Sequence, residues 1–281
     1  MKKTKLVFVI LQYNSYKETI ECVDSILKNT SSKQYEIIVV ENGSKNNSAI
    51  EVQKKYSRNK KVHIIINEKN RGFSKGNNVG CEFAIKNFNP KFLYVINNDT
   101  LIQQKNTIEI IKKEYKKSKF DVLGPDVIDL EGNHGNPFEI RNNFKMGIMR
   151  RIFLNRLKMF LTNMNFISVL KKIKPKEKQN KKWPFRQEEV GLYACALIFS
   201  NKYYQKFKKI FYPEIFLYGE EDFLDIRRKR EKLKFVYNPE LKIIHKEEKS
   251  AENKNSKKHY LFRLRQIIKS DRKMLEFVKD R

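Results

Sequence analysis

Apolar residues in the first hundred positions come in short continuous blocks separated by longer amphipathic stretches. Residues 6–11, 36–40, 62–66 and 92–96 are runs of β-branched, aliphatic and aromatic side chains, the pattern of strands buried on both faces. Between them, residues 16–28, 48–56 and 73–88 place apolar side chains at helical spacing. The resulting βαβαβαβ order predicts a doubly wound, Rossmann-like α/β fold, with a mostly parallel central sheet and helices on both faces. A helix at 107–117 and a strand at 120–123 extend the series, and Gly124-Pro125 is expected to break it. Residues 127–130, followed by Glu131-Gly132-Asn133, read as a short strand and turn. Further on, 191–200 reads as a strand, 202–210 as a helix, and 235–237 and 242–244 as closing strands. A helix opens at Glu220 and runs through Arg230, and 256–278 has the pattern of a basic helix.

Residues 142–182 differ in kind. Met149, Phe153, Leu157, Phe160, Met164 and Ile167 recur at steps of three and four and so share one helical face. Arg151, Lys158 and Asn165 fall roughly opposite, while Ile152, Met159 and Phe166 stray from the stripe. A basic amphipathic helix of this kind can lie in a membrane interface. The same pattern suits an insertion helix that covers the sheet or forms a dimer contact. The expected organisation is therefore a catalytic domain over 1–250 carrying this insertion, followed by a basic helical tail over 251–281.

Composition narrows the partners. The 281 residues carry a formal charge of +28, a field that attracts nucleic acid, anionic lipid or a phosphorylated substrate. No stretch supplies the ~20 apolar residues of a membrane-spanning helix, and the N-terminus has no signal-peptide pattern, so a cytoplasmic location is expected. Cys22, Cys81 and Cys195 show no metal-type spacing and read as core residues.

Candidate chemistry clusters where strands end. The run 92–96 stops at Asn97-Asn98-Asp99-Thr100, which places one carboxylate at a strand's carboxyl end, where open α/β sheets bind ligands. Asp99 can hold a divalent ion shared with substrate phosphates, although Asn and Asp also open turns. Glu41, in Glu41-Asn42-Gly43-Ser44, ends the second strand on the same edge and can accept hydrogen bonds from a pyrimidine or ribose. Tyr13 shares that edge and can pack on a base. In Asn70-Arg71-Gly72-Phe73-Ser74-Lys75-Gly76, the glycines Gly72 and Gly76 allow close backbone approach of a ligand, and Arg71 offers donors suited to a diphosphate. Glu220, Glu221 and Asp222 crowd the first turn of a helix, where repulsion and burial can shape a general base. His245, ending a core strand, is a candidate second ligand for a metal at Asp99.

Taken in order, Gln12-Tyr13-Asn14, Glu41-Asn42-Gly43-Ser44, the Arg71–Gly80 segment, Asn97-Asn98-Asp99-Thr100, the acidic turn ending in Asp222 with Arg227, and Ile243-Ile244-His245 resemble the family 2 inverting glycosyltransferases. The branch they look most like includes bacterial rhamnosyl- and related surface-polysaccharide transferases. The resemblance covers about residues 5–250. It implies a glycosyltransferase-A fold and transfer of a sugar from a nucleotide-diphosphate sugar to a hydroxyl of a glycan acceptor carried on a lipid, in capsule, O-antigen or similar polysaccharide synthesis. It also implies Mg²⁺ or Mn²⁺ held by Asp99 and His245, with Asn97 replacing the first acid of the family's Asp-x-Asp motif. Tyr13, Glu41, Arg71, Gly72, Gly76 and Asn98 fall on the donor side. Glu221 aligns on the catalytic Asp, and Asp222 is its rival one residue later. Peripheral contact with the anionic inner face of the plasma membrane follows from the acceptor. A nucleotidyltransferase would place a Gly-rich loop after the first strand, where Gln12-Tyr13-Asn14-Ser15 stands. The other readings are a catalytically silent member of the family and a basic nucleic-acid-binding protein, which charge alone supports.

Overall fold

The computed structural model describes residues 5–30, 34–140, 145–164, 182–246 and 256–279. Four parallel strands form its first half: β1 (Leu6–Gln12), β2 (Tyr35–Glu41), β3 (Val62–Ile66) and β4 (Phe92–Asn97). Between them run α1 (Tyr16–Asn29), α2 (Ser48–Tyr56) and α3 (Gly72–Phe88). The chain continues through β5 (Thr100–Leu101), α4 (Thr107–Ser118), β6 (Val122–Asp129), α5 (Lys145–Asn163), β7 (Gln187–Glu188), β8 (Ala196–Ser200), α6 (Asn201–Lys206), α7 (Glu220–Arg230), β9 (Phe235–His245) and α8 (Lys257–Lys279). The sheet order is β3-β2-β1-β4-β8-β6-β9-β5, with β7 paired to β9. β8 lies antiparallel between β4 and β6, whereas β6 and β9 are parallel. The mostly parallel sheet expected from the sequence is thus the sheet observed.

Strand periodicity divides the core in two. Leu6, Phe8 and Ile10 of β1 face a cluster with Cys22, Val23 and Ile26 of α1, Val52 of α2, and Ile108 and Ile111 of α4. Val7 and Val9 face the opposite cluster, with Cys81 and Ala84 of α3, Tyr203 of α6 and Leu224 of α7. Both faces are therefore covered, which is why the central strands read as unbroken apolar runs. A third, smaller cluster joins Ile148 of α5, Ile215, Phe223 of α7 and Met274 of α8.

Three local expectations change. Gly124-Pro125 does not end a strand; β6 runs through it, and the ladder shifts there instead. Pro125 pairs with Asn238 but Asp126 with Lys242. A residue without an N–H is tolerated at such an irregularity. The same shift merges the two closing strands into β9. The helix expected over 202–210 stops at Lys206, because side chains take over its later backbone groups. Asn78 donates to the Phe211 carbonyl (2.9 Å) and accepts its N–H (3.0 Å), while Tyr203 and Arg227 donate to the Ile210 carbonyl. Of the amphipathic 142–182 insertion, residues 145–163 form α5, and Ile167 and Phe166 lie outside the described residues.

Candidate active site

Parallel register brings the carboxyl ends of β1, β2 and β4 to one edge. Gln12 pairs with Glu41, and Leu11 with Asn97. The loops beyond are tied together: Asn14, in the left-handed region (φ 57°), donates its N–H to Ser44 Oγ (2.8 Å) and accepts the Lys45 N–H (2.9 Å). Tyr13 is left 38 % exposed beside them. Glu41 is buried, and its carboxylate accepts the N–H groups of Ser44 (2.8 Å) and Gly43 (3.2 Å). It therefore shapes the turn that any nucleotide on this edge would meet.

Asn42 is the hub that the sequence reading missed. Its Oδ1 accepts from Asn67 Nδ2 and the Arg71 N–H, both at 3.1 Å, and its Nδ2 donates to Asn70 Oδ1 (3.1 Å) and the Gly72 carbonyl (3.3 Å). One buried amide thus joins the ends of β2 and β3 to the start of α3. Its only sequence signal was the Asn-Gly pair, which also marks an ordinary turn.

The close approaches expected of Gly72 and Gly76 are made by the protein itself. A Cβ on Gly72 (φ +75°) would lie 2.4 Å from the Phe216 carbonyl oxygen, and one on Gly76 2.5 Å from Leu11 Cδ1. Gly80 continues the row, 2.6 Å from Val9 Cγ1. These glycines seat α3 against the sheet, while Arg71 projects into solvent at the helix start. The Phe73 N–H bonds the Phe216 carbonyl (2.7 Å), which places Arg71 beside the loop that leads to the acidic turn.

Past β4 the chain turns at Asn97-Asn98-Asp99-Thr100. Thr100 Oγ1 donates to the Asn97 carbonyl (2.7 Å). Asn98 Nδ2 donates to Ser15 Oγ (2.6 Å) and Thr19 Oγ1 (3.0 Å), so its amide donors tie the turn to α1. Cys22 lies beneath, its thiol pushed up to about 12 by burial; at neutral pH it is an inert core group. The strand pair β5–β9 sets Thr100 opposite His245, and Lys246 donates its N–H to the Asp99 carbonyl (2.9 Å). Asp99 Oδ1 and His245 Nε2 consequently stand 3.2 Å apart. Among the described residues no cluster of three or more His, Cys, Asp or Glu side chains could hold a metal. A mixed carboxylate–imidazole pair still fits a divalent ion that completes its shell with diphosphate oxygens and water, because magnesium sites at phosphates commonly use only one or two protein carboxylates.

The acidic turn reaches the same place. Tyr218 (φ 67°) and Gly219 (φ 104°) turn the chain into α7, and Glu220 and Asp222 are buried, Asp222 to 1 % exposure. Glu221 is the half-exposed member, and its Oε1 accepts the Ala194 N–H at 3.3 Å. The next residue, Cys195, accepts the Asn97 N–H through its carbonyl (2.8 Å), and the Tyr193 ring packs edge-on to His245 at 5.8 Å. Residues 193–195, expected to be part of a strand, are instead a splint linking Glu221, Asn97 and His245. They leave the ladder because Asn136 takes the Tyr193 N–H (2.8 Å) and Glu221 that of Ala194. From α8, Ser270 Oγ donates to the Leu217 carbonyl (3.1 Å), and Arg263 lies over the Tyr218 ring (5.5 Å).

Known proteins are similar to this chain in sequence or in fold. GlyG, a glycosyltransferase of Streptococcus pneumoniae serotype 4, is 25 % identical over 134 residues, 47 % of this chain and 42 % of GlyG. Two crystal structures of S. aureus TarS superpose over 86 % of this chain. The 1–349 fragment gives a TM-score of 0.55 at 16 % identity, and the second structure 0.56 at 15 %. This chain covers 60 % and 36 % of those two, and less than half of GlyG; the TarS likeness establishes a common fold. Residues 7–182 match the sequence profile described as Glycosyl transferase family 2, a match that spans most of the chain, from β1 past α5, and the chain belongs to that family.

Proposed function

We propose that the protein is a metal-dependent inverting glycosyltransferase that moves a sugar from a nucleotide-diphosphate sugar to a hydroxyl of a lipid-linked glycan acceptor, in bacterial surface-polysaccharide synthesis. The observation that carries this reading is the splint at 193–195. Through it a half-exposed carboxylate, Glu221, sits within two residues of the contacts to Asn97 and His245. In this reading a base and a metal-holding pair flank one sheet edge.

In this reading Tyr13 and the Glu41 turn receive the nucleoside, and Arg71 lies toward the diphosphate. Gly72, Gly76 and Asn98 hold the surrounding loops in place. Glu221 takes the proton of the acceptor hydroxyl as its oxygen attacks the anomeric carbon. The bond from that carbon to the diphosphate oxygen breaks, the electron pair leaves with the nucleoside diphosphate, and the configuration inverts. Asp222 is too buried to meet an acceptor. A Mg²⁺ or Mn²⁺ held by Asp99 and His245 supplies Lewis-acid stabilisation of the leaving charge when bound. An acceptor carried at the cytoplasmic face of the membrane suits the charge of +28.

Calorimetric titration of UDP, dTDP and GDP, each with and without Mn²⁺, tests this. One nucleotide should bind in a metal-dependent manner to the wild type and not to Asp99→Ala. Failure of a folded wild-type protein to bind any of the three would sink the assignment.

A further inference from the structure

α5 is an amphipathic helix turned inside out relative to its composition. Its inward face is narrow: Ile148 and Thr162 are fully buried, and Arg151 is held by Asp271 of α8, with Nη2 2.7 Å from Oδ1. The larger apolar residues point the other way. Met146, Met149, Phe153, Leu157, Phe160 and Met164 are between 43 % and 82 % exposed, and their steps of three and four make one continuous row. At 1.5 Å per residue that row runs about 27 Å, far more than scattered surface hydrophobes require. By helical geometry Lys145 and Arg156 flank it on one side and Arg150 on the other. Lys145, Arg150, Arg156 and Lys158 are all exposed, and α5 contains no acidic residue.

We propose that this row is a docking face for an anionic lipid bilayer, with α5 lying in the plane of the interface. The Phe and Met side chains enter the acyl boundary and the flanking cations meet the lipid phosphates. Charge selects this occupant. A second copy of the chain on the same face would oppose two sets of like cations, whereas an anionic bilayer offers both the apolar layer and the countercharge. A phosphate backbone would meet the cations but leave the phenylalanines in water. α5 is fixed through Arg151–Asp271 and the Ile148–Phe223–Met274 cluster to the helix that carries Glu221. Docking therefore also sets the height and tilt of the candidate active site above the membrane. The inference gives the lipid-linked acceptor of the proposed function its physical setting and rests on that reading for its purpose, not for its geometry.

The test is flotation of the full chain with vesicles of phosphatidylcholine alone or of equimolar phosphatidylcholine and phosphatidylglycerol. Wild type should float with the anionic vesicles and stay behind with the neutral ones. Phe153→Ser/Phe160→Ser should lower partitioning at least about tenfold, and Lys145→Gln/Arg150→Gln/Arg156→Gln by about fivefold per charge. Both variants alter exposed positions and should keep the wild-type circular dichroism. Three outcomes would each overturn the docking face. They are absence of wild-type binding to anionic vesicles, binding that neither variant weakens, and a wild-type dimer or oligonucleotide complex that the Phe variant dissolves while vesicles fail to bind. Nucleotide titration of the same variants reads the transferase assignment separately, so loss of one can be told from loss of the other.

Discussion

Glu221 and Asp222 are neighbours in sequence, yet the fold gives them opposite surroundings. α7 begins one residue before Glu221, so successive side chains point about 100° apart around its axis. One meets the cleft and the Ala194 N–H, and the other is buried at 1 % exposure. A base must reach the proton it takes. Glu221→Gln keeps an oxygen for the Ala194 N–H but cannot accept a proton, so transfer should fall by about 10²–10⁴ with nucleotide affinity unchanged. Asp222→Asn should instead lower the thermal midpoint. Single-turnover transfer alongside thermal unfolding of both variants checks this, and the reverse pattern would assign the base to Asp222. At this scale the sequence displays the carboxylates and His245, because strand ends and helix starts have recognisable surroundings. It could not display the Ala194 N–H or the Cys195 carbonyl, since backbone groups are common to every residue, nor separate Asn42 from an ordinary turn asparagine.

At the scale of elements, the seating of α3 on β1 and β2 fixes the edge on which the site is built. Of Gly76 and Gly80, Gly80 faces the stiffer neighbours, because a Cβ there would meet two branched side chains already locked in strands, Val9 Cγ1 at 2.6 Å and Val40 Cγ2 at 2.8 Å. Alanine gains about 1 kcal/mol of helix propensity over glycine, but overpacking costs about 1–3 kcal/mol. Gly80→Ala should therefore destabilise, and more than Gly76→Ala, whose nearest obstacle is the far end of the Leu11 side chain. Urea denaturation of the two variants measures the difference; equal midpoints would mean that α3 shifts freely on the sheet. The strands and helices of the first half were legible because each buries a long apolar block or face. Gly124-Pro125 was not, since a proline inside a strand is readable only once its partner's irregularity at 239–241 is known. The two-residue strands β5 and β7 are too short to carry a pattern, yet β5 is what brings Thr100 opposite His245.

Across the whole molecule, the family profile ends at residue 182, before the acidic turn, β9 and α8, and these later elements reach the candidate site through packing. α8 does this from outside the sheet. It covers α5, supports the turn at Leu217 and Tyr218, and contributes Met274 to the cluster under Phe223. The residues expected as a basic tail thus include a helix packed against the turn that presents Glu221. Its central tie is Arg151–Asp271, with Asp271 fully buried. Removing one partner of a buried pair leaves an uncompensated charge, at a cost of about 3–5 kcal/mol. Arg151→Ala should therefore lower stability by that order, and Arg151→Ala/Asp271→Ala should cost less than the sum of the two single changes. A chain ending at residue 246 would bare Ile148, Ile215 and Phe223 together and should bind a hydrophobic dye even where the sheet persists. Denaturation of the double-mutant cycle, with dye binding by the shortened chain, decides the matter. Additive losses and a dye-silent 1–246 fragment would make α8 an appendage; coupled losses would make it part of the framework that aims Glu221.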